Sequence, residues 1–138
     1  MLESAAVIVG AGIDIVEIVR VERALSRRGS RLRERVFTQR EVRECGLRRR
    51  SGPHFALRFA AKEAGMKALG TGWRGGVGWH DFEMIEAADG LELQLTGRSL
   101  ELARQRGFER AWLGTSLTRT HALVQVVLEG PARAPRLA

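Results

Sequence analysis

Apolar residues alternate with small or polar ones from Val7 to Ile18. Val9, Ala11, Ile13 and Ile15 fall on one side of the chain, and Ile8, Gly10, Gly12, Asp14 and Val16 on the other. This period of two predicts a strand on which Asp14 shares a face with two glycines, leaving room for a ligand or a second backbone. The run Gly10-Ala-Gly-Ile-Asp14 lacks a third glycine and no βαβ unit follows it, so it is not a dinucleotide fingerprint. From Glu17 to about Arg28 the period lengthens to that of a helix. Ile18, Val21 and Leu25 form the buried side, and Arg20, Arg23 and Arg27 a basic stripe at spacings of three and four. Gly29-Ser30 is expected to end it.

A charged stretch, Arg31 to Arg50, holds short helices around Val36-Phe37 and Val42, the second starting near Thr38 with Glu41 completing a capping box. Arg48-Arg49-Arg50-Ser51-Gly52-Pro53 carries the strongest loop signal. His54 to Leu69 then reads as a helix closed by Gly70-Thr71-Gly72. At 100° per residue, Ala56, Phe59, Glu63, Met66, Lys67 and Gly70 share one face, so Glu63 interrupts a small and apolar stripe. A carboxylate there is costly unless paired or bound to a metal. Beyond a glycine-rich loop from Gly70 to Gly78, Trp79–Ile85 and Leu91–Leu95 predict a hairpin turning through Ala87-Ala-Asp-Gly90. A short helix runs from Thr96 or Gly97 to Gln105. Trp112–Thr118 and Ala122–Glu129 predict two paired strands with a tight turn at Arg119-Thr120. Residues 1–130 are expected to form a single domain and 131–138 a disordered tail.

Composition narrows the chemistry. Of 23 basic residues only Lys62 and Lys67 are lysine, and they flank Glu63. Lysine is a compact point charge with a tunable pKa, whereas arginine is a fixed planar fork, so this pairing marks the segment; two solvated helix charges are the plain alternative. Cys45 stands alone, which excludes an internal disulfide or a cysteine metal site and fits a reducing cytosol. With three scattered histidines, any metal would take oxygen ligands, favouring Mg²⁺ over zinc. The first apolar run is too short to span a bilayer and has no basic residue before it. A net charge of +7 calls for an acidic partner. Nucleic acid is one, although there is no Tyr, and the Trp and Phe residues are not interleaved with arginines. His54 and His80 are expected to be structural, and Trp73, Trp79 and Trp112 to lie in the core or an interface.

The candidates for chemistry are therefore Asp14 at a strand end, Glu63 on a helix with Lys62 and Lys67, Arg58 one turn earlier, and the Gly-Thr-Gly cap. Carboxylates for Mg²⁺ with Lys and Arg for phosphate oxygens are what transfer of a phosphate-linked group requires. Here the chain resembles the holo-acyl-carrier-protein synthase type of 4′-phosphopantetheinyl transferase. The resemblance lies in Gly12-Ile-Asp-Ile-Val-Glu-Ile18 with Arg20, Phe37 with Glu41, Arg58-Phe-Ala-Ala-Lys-Glu-Ala64 with Lys67-Ala-Leu-Gly-Thr-Gly72, and Ser116-Leu-Thr-Arg-Thr120 before a Val-rich strand.

The resemblance implies an α+β fold, a small mostly antiparallel sheet packed against one long helix and shorter helices. It implies transfer of phosphopantetheine from coenzyme A to a serine of apo-acyl carrier protein, in fatty acid or polyketide assembly. Asp14 and Glu63 would hold Mg²⁺. Lys67 would reach the phosphates, and Lys67, Glu63 or a metal-bound water the serine proton. Arg58, Lys62, Gly70, Thr71, Gly72, Arg119 and Thr120 would lie along the nucleotide. Arg20, Arg23 and Arg27 would dock the acidic carrier. Cytosolic homotrimers with sites between subunits are implied as well.

Two motifs depart from the family. Arg119 stands where similar proteins have histidine, in a turn shortened by about two residues, so that His121 falls where an aromatic is usual. Arginine can replace a histidine that contacts phosphate but not one that moves a proton. The Gly-x-Pro expected after the hairpin is absent at Asp89-Gly-Leu-Glu. A homologue that holds coenzyme A or the carrier without turnover, and a basic nucleic-acid-binding domain, are the competing functions.

Overall fold

The computed structural model describes residues 5–73 and 75–132. Its elements are β1 (Ala6–Glu17), α1 (Ile18–Val36), α2 (Gln39–Gly46), α3 (Ser51–Leu69), β2 (Phe82–Ala87), β3 (Gly90–Leu95), α4 (Gly97–Gln105), β4 (Arg110–Leu117) and β5 (His121–Pro131). β1, β5 and β4 form an antiparallel sheet in that order, and β2 and β3 a separate hairpin. The α+β class and antiparallel pairing are as expected. The one long helix is α3, 19 residues without a break, whereas the 19-residue span of α1 is two shorter helices joined across a kink at Gly29.

α3 is the central element, buried on nearly every side. Alanines and glycines on the helix let its neighbours come close. Gly10 and Gly12 of β1 face it, and a Cβ on either would collide with the backbone of Ala68 or Ala64. The two glycines on the Asp14 face thus make room for a helix backbone. Gly65 similarly admits the ring of Phe82. Val124, Val126 and Leu128 of β5 complete the core against α3.

Several boundaries differ from the sequence reading. Gly29 breaks the helical path (φ 60°, ψ −143°), but the chain resumes its coil and continues to Val36. The kink arises because φ > 0 suits glycine and the following Leu32 and Val36 still have an apolar face to bury. Thr38 and Glu41 form the expected capping box. The segment from Trp79 starts as a 3₁₀ turn rather than a strand, because Asp81 closes back on Gly78 through both its N–H and its carboxylate. β4 and β5 are joined by the expected turn, in which Thr118 N–H donates to His121 O at 2.9 Å. Pro131 belongs to β5 and Ala132 donates to Ala5 O, so the chain is ordered into the span expected to be tail; residues 133–138 lie outside the described residues.

The sheet face away from α3 carries Ile13, Ile15 and Trp112, which are 54%, 60% and 45% exposed, with Leu123 and Val127 partly buried between them. Trp112 is therefore a surface residue of the isolated chain, not a core residue. Among the described residues no helix is long and apolar enough to cross a membrane.

Candidate active site

The close approach of β1 to α3 brings Asp14 beside the last two turns of the helix. Lys67 donates to Asp14 Oδ1 at 2.9 Å and to Ile13 O at 3.0 Å. Glu63, one turn earlier on the same face, is half-buried and accepts no hydrogen bond from the described residues. Burial pushes its pKa up, the nearby Asp14 charge adds to the rise, and Lys67 partly opposes it. Lys67 is thus drawn to Asp14, and Glu63 has no ion pair among the described residues.

Both carboxylates line a cavity of about 550 Å³ between the end of β1, α1 and α3. Val21, Leu25, Leu32, Val36, Phe37 and Phe59 supply its apolar wall, and Glu17, Arg20 and His121 its other polar side chains. Two hard oxygen donors facing one space suit Mg²⁺, which keeps waters and takes substrate phosphate oxygens for its remaining positions. No group of three or more His, Cys, Asp or Glu residues that could enclose a metal occurs among the described residues. The donor set therefore fits an ion shared with a phosphate substrate, not a closed structural site.

Arg20 also lines a second groove on α1 with Arg23, Arg27 and Arg28. The basic stripe and the carboxylate cavity are consequently adjacent, with Glu17, Arg20 and Ala24 common to both.

Two expected nucleotide contacts are corrected. Lys62 is fully buried: its ammonium donates to Glu41 Oε1 at 2.7 Å, Trp79 O at 3.1 Å and Phe82 O. All three donors are used. Burial lowers its pKa while Glu41 opposes the shift. Glu41 is equally engaged, accepting also from Thr38 N–H and Met84 N–H. Arg58 is 1% exposed and bonds Glu44 Oε2 at 3.0 Å and His54 O at 3.3 Å. These residues bind α2 and the β2–β3 hairpin to α3. They are structural because both are buried and their donors are taken up by partners on α2, α3 and the segment from Trp79 to Phe82.

The remaining candidates are dispersed. Gly70 takes a left-handed conformation (φ 74°) as the C-cap of α3, followed by Thr71 and Gly72. Arg119 and Thr120 occupy the exposed β4–β5 turn outside the cavity lining. His121 does line the cavity, with Nδ1 2.8 Å from Thr120 Oγ1. Sequence reasoning assigned it no role and began the last strand at Ala122, whereas His121 is the first residue of β5 and pairs with Glu17. His80 is structural as expected, its Nε2 lying 2.7 Å from Glu34 O. Trp79 stacks between Phe59 and Trp73, whose ring is 38% exposed and so is not core.

Comparison with known proteins bears on these groups. The family model described as the 4′-phosphopantetheinyl transferase superfamily matches residues 10–122. The chain is 46% identical to a holo-[acyl-carrier-protein] synthase of Geotalea daltonii, across 88% of this chain and 98% of that one. A synthase of the same name from Geobacter sulfurreducens is 45% identical across 90% and 99%. Among solved structures, the Neisseria meningitidis synthase superposes with a TM-score of 0.80 at 32% identity, covering 88% of this chain and 98% of that one. A Bacillus anthracis synthase in complex with CoA (3′,5′-ADP) gives 0.73 at 35% identity, over 91% and 99%.

The structural assignment of Lys62 has a measurable consequence. Lys62→Met strands the Glu41 carboxylate in the core and is expected to cost about 3–5 kcal/mol in a urea titration. Adding Glu41→Gln should recover part of that loss. A cost below about 1 kcal/mol would show that the pair does not hold these elements together.

Proposed function

This chain belongs to the 4′-phosphopantetheinyl transferase superfamily, and from that premise we propose the mechanism by which it moves phosphopantetheine from coenzyme A to a serine of apo-acyl carrier protein. The observation that carries the reading is that Asp14 and Glu63 line one cavity while Lys67 is hydrogen-bonded to Asp14. In the reaction the serine oxygen forms a bond to the β-phosphorus of the coenzyme A diphosphate. The phosphorus–oxygen bond to the 5′-phosphate of the nucleotide breaks, and adenosine 3′,5′-bisphosphate leaves.

Asp14 and Glu63 would hold Mg²⁺. When bound, the ion supplies positive charge for the diphosphate and the departing bisphosphate. Lys67, already hydrogen-bonded at the edge of the pair, has a mobile ammonium that can turn from Asp14 to phosphate oxygens. Glu63, the carboxylate with no hydrogen bond, is the side chain positioned to receive the serine proton. Gly70-Thr71-Gly72 lies along the nucleotide, and Arg119 and Thr120 contact it from the exposed turn.

Arg20, Arg23 and Arg27 dock an acidic carrier. Their groove opens onto the carboxylate cavity, so a carrier seated there presents its serine to the reacting centre. The basic charge then has a protein partner. A homotrimer is supported by the uncovered apolar sheet face bearing Ile13, Ile15 and Trp112. Copies packed there would place neighbouring subunits near the exposed β4–β5 turn, leaving sites between subunits. The coenzyme A donor and the unpaired Cys45 thiol fit a cytosolic setting.

Incubation with apo-carrier protein, coenzyme A and Mg²⁺ should raise the carrier mass by one phosphopantetheine. Asp14→Ala and Glu63→Ala should each lower turnover by at least about a thousandfold with the fold retained by circular dichroism. Near-normal turnover in either variant would remove the two-carboxylate mechanism. For docking, Arg20→Glu with Arg23→Glu should raise KM for the carrier at least about tenfold while altering KM for coenzyme A less than about twofold. Equal effects on both substrates would separate the stripe from the carrier. For assembly, sedimentation should give a trimer for the native chain and a smaller species for Ile13→Glu. A monomeric native chain would overturn the sheet-face contact.

A further inference from the structure

With Arg58 and Lys62 turned into the core, one exposed arginine from another element lies beside the Gly70-Thr71-Gly72 end of the nucleotide path. Arg106 ends α4, and its guanidinium lies over Gly70: a Cβ at Gly70 would fall 3.1 Å from Nη2 and 3.3 Å from Nη1. Arg106 is exposed and forms no ion pair among the described residues. Its backbone is well anchored. The N–H groups of Arg106, Gly107 and Phe108 close the end of α4, and the carbonyl of Gly107 packs against Gly130 of β5 so tightly that any side chain at 130 would collide with it. Two positions without side chains, 70 and 130, therefore permit this placement.

The local benefit is a cation near the C-terminal carbonyls of α3, which the helix dipole favours. That benefit requires only charge. Arginine adds a planar pair of donors suited to phosphate, held beside the Gly70-Thr71-Gly72 segment, one turn beyond Lys67 on the same helix. We propose that Arg106 binds a phosphate of the nucleotide half of coenzyme A, at the opposite end of the nucleotide path from Asp14 and Glu63. This rests on the transfer reaction proposed above. Lys67 serves the reacting end and Arg106 the retained end, so loss of Arg106 weakens donor binding without altering the chemical step.

The test compares coenzyme A with dephospho-coenzyme A, which lacks the 3′-phosphate, in wild type, Arg106→Ala and Arg106→Lys. Transfer by the wild type establishes the underlying reaction; its absence would count against that reaction first. Arg106→Ala should raise KM for coenzyme A about tenfold with kcat within about twofold, equivalent to about 1.4 kcal/mol of binding. A rise confined to coenzyme A assigns the contact to the 3′-phosphate. An equal rise with both donors would place the contact at the diphosphate, the reacting end, and overturn the proposal. Arg106→Lys, which keeps the charge and loses the fork, should recover less than half of the effect on a logarithmic scale. The thermal shift produced by adenosine 3′,5′-bisphosphate should shrink in Arg106→Ala. Unchanged KM values with a lower melting temperature alone, or full rescue by lysine, would reduce Arg106 to a helix-end cation and overturn the proposal.

Discussion

The approach of a strand backbone to a helix backbone governs this molecule. Gly10 and Gly12 on β1 meet Ala64 and Ala68 on α3 with no space for a Cβ on the strand. Asp14 lies on the same strand face, so its position relative to Glu63 and Lys67 is set by that contact. A side chain at either glycine would push the strand outward and carry the aspartate away from the helix. Fold and chemistry share one constraint, because the surfaces that form the core also set the separation of the two acids.

α3 meets a second electrostatic demand on its other side. Residues 58 and 62 are four apart and share a face, while 62 and 67 are five apart and point about 140° away from each other. The first pair turns into α2 and the hairpin, where Glu44 and Glu41, three apart on α2, receive it. The second lysine emerges at the cavity beside Asp14. One helix therefore uses its charges in two opposite ways, satisfied in the core and available at the opening. Closeness in sequence concealed this division.

What could be read from the chain follows from which interactions are local. The strand period before Asp14, the Thr38–Glu41 cap and the left-handed stop at Gly70 depend on neighbouring residues, and each is present. The helical angle between Lys62 and Lys67 was also available from the spacing, but their clustering around Glu63 outweighed it. The acceptors of Lys62 were out of reach, since Glu41, Trp79 and Phe82 come from three other segments. For the same reason the glycines could be seen to leave space, but not whether ligand or helix filled it. Gly29 shows a different limit: it breaks the helical geometry as expected, yet the apolar Leu32 and Val36 restart the helix by supplying a face to bury.

The kink at Gly29 also explains why one cavity joins two chemistries. The first half of α1 contributes Arg20, Val21 and Leu25 to the cavity wall, and the second half contributes Leu32 and Val36. A straight helix would carry its second half away from the surface of α3. Bending lets both halves close around Phe59 and Glu63, while Arg23, Arg27 and Arg28 remain outside on the solvent side. The apolar wall lowers the local polarity around Glu63, which strengthens its interaction with any cation placed there. The arginines just outside draw an anionic partner to the same opening. Binding and reaction are thus coupled through a single bent helix, whose inner face shapes the electrostatics and whose outer face selects what arrives.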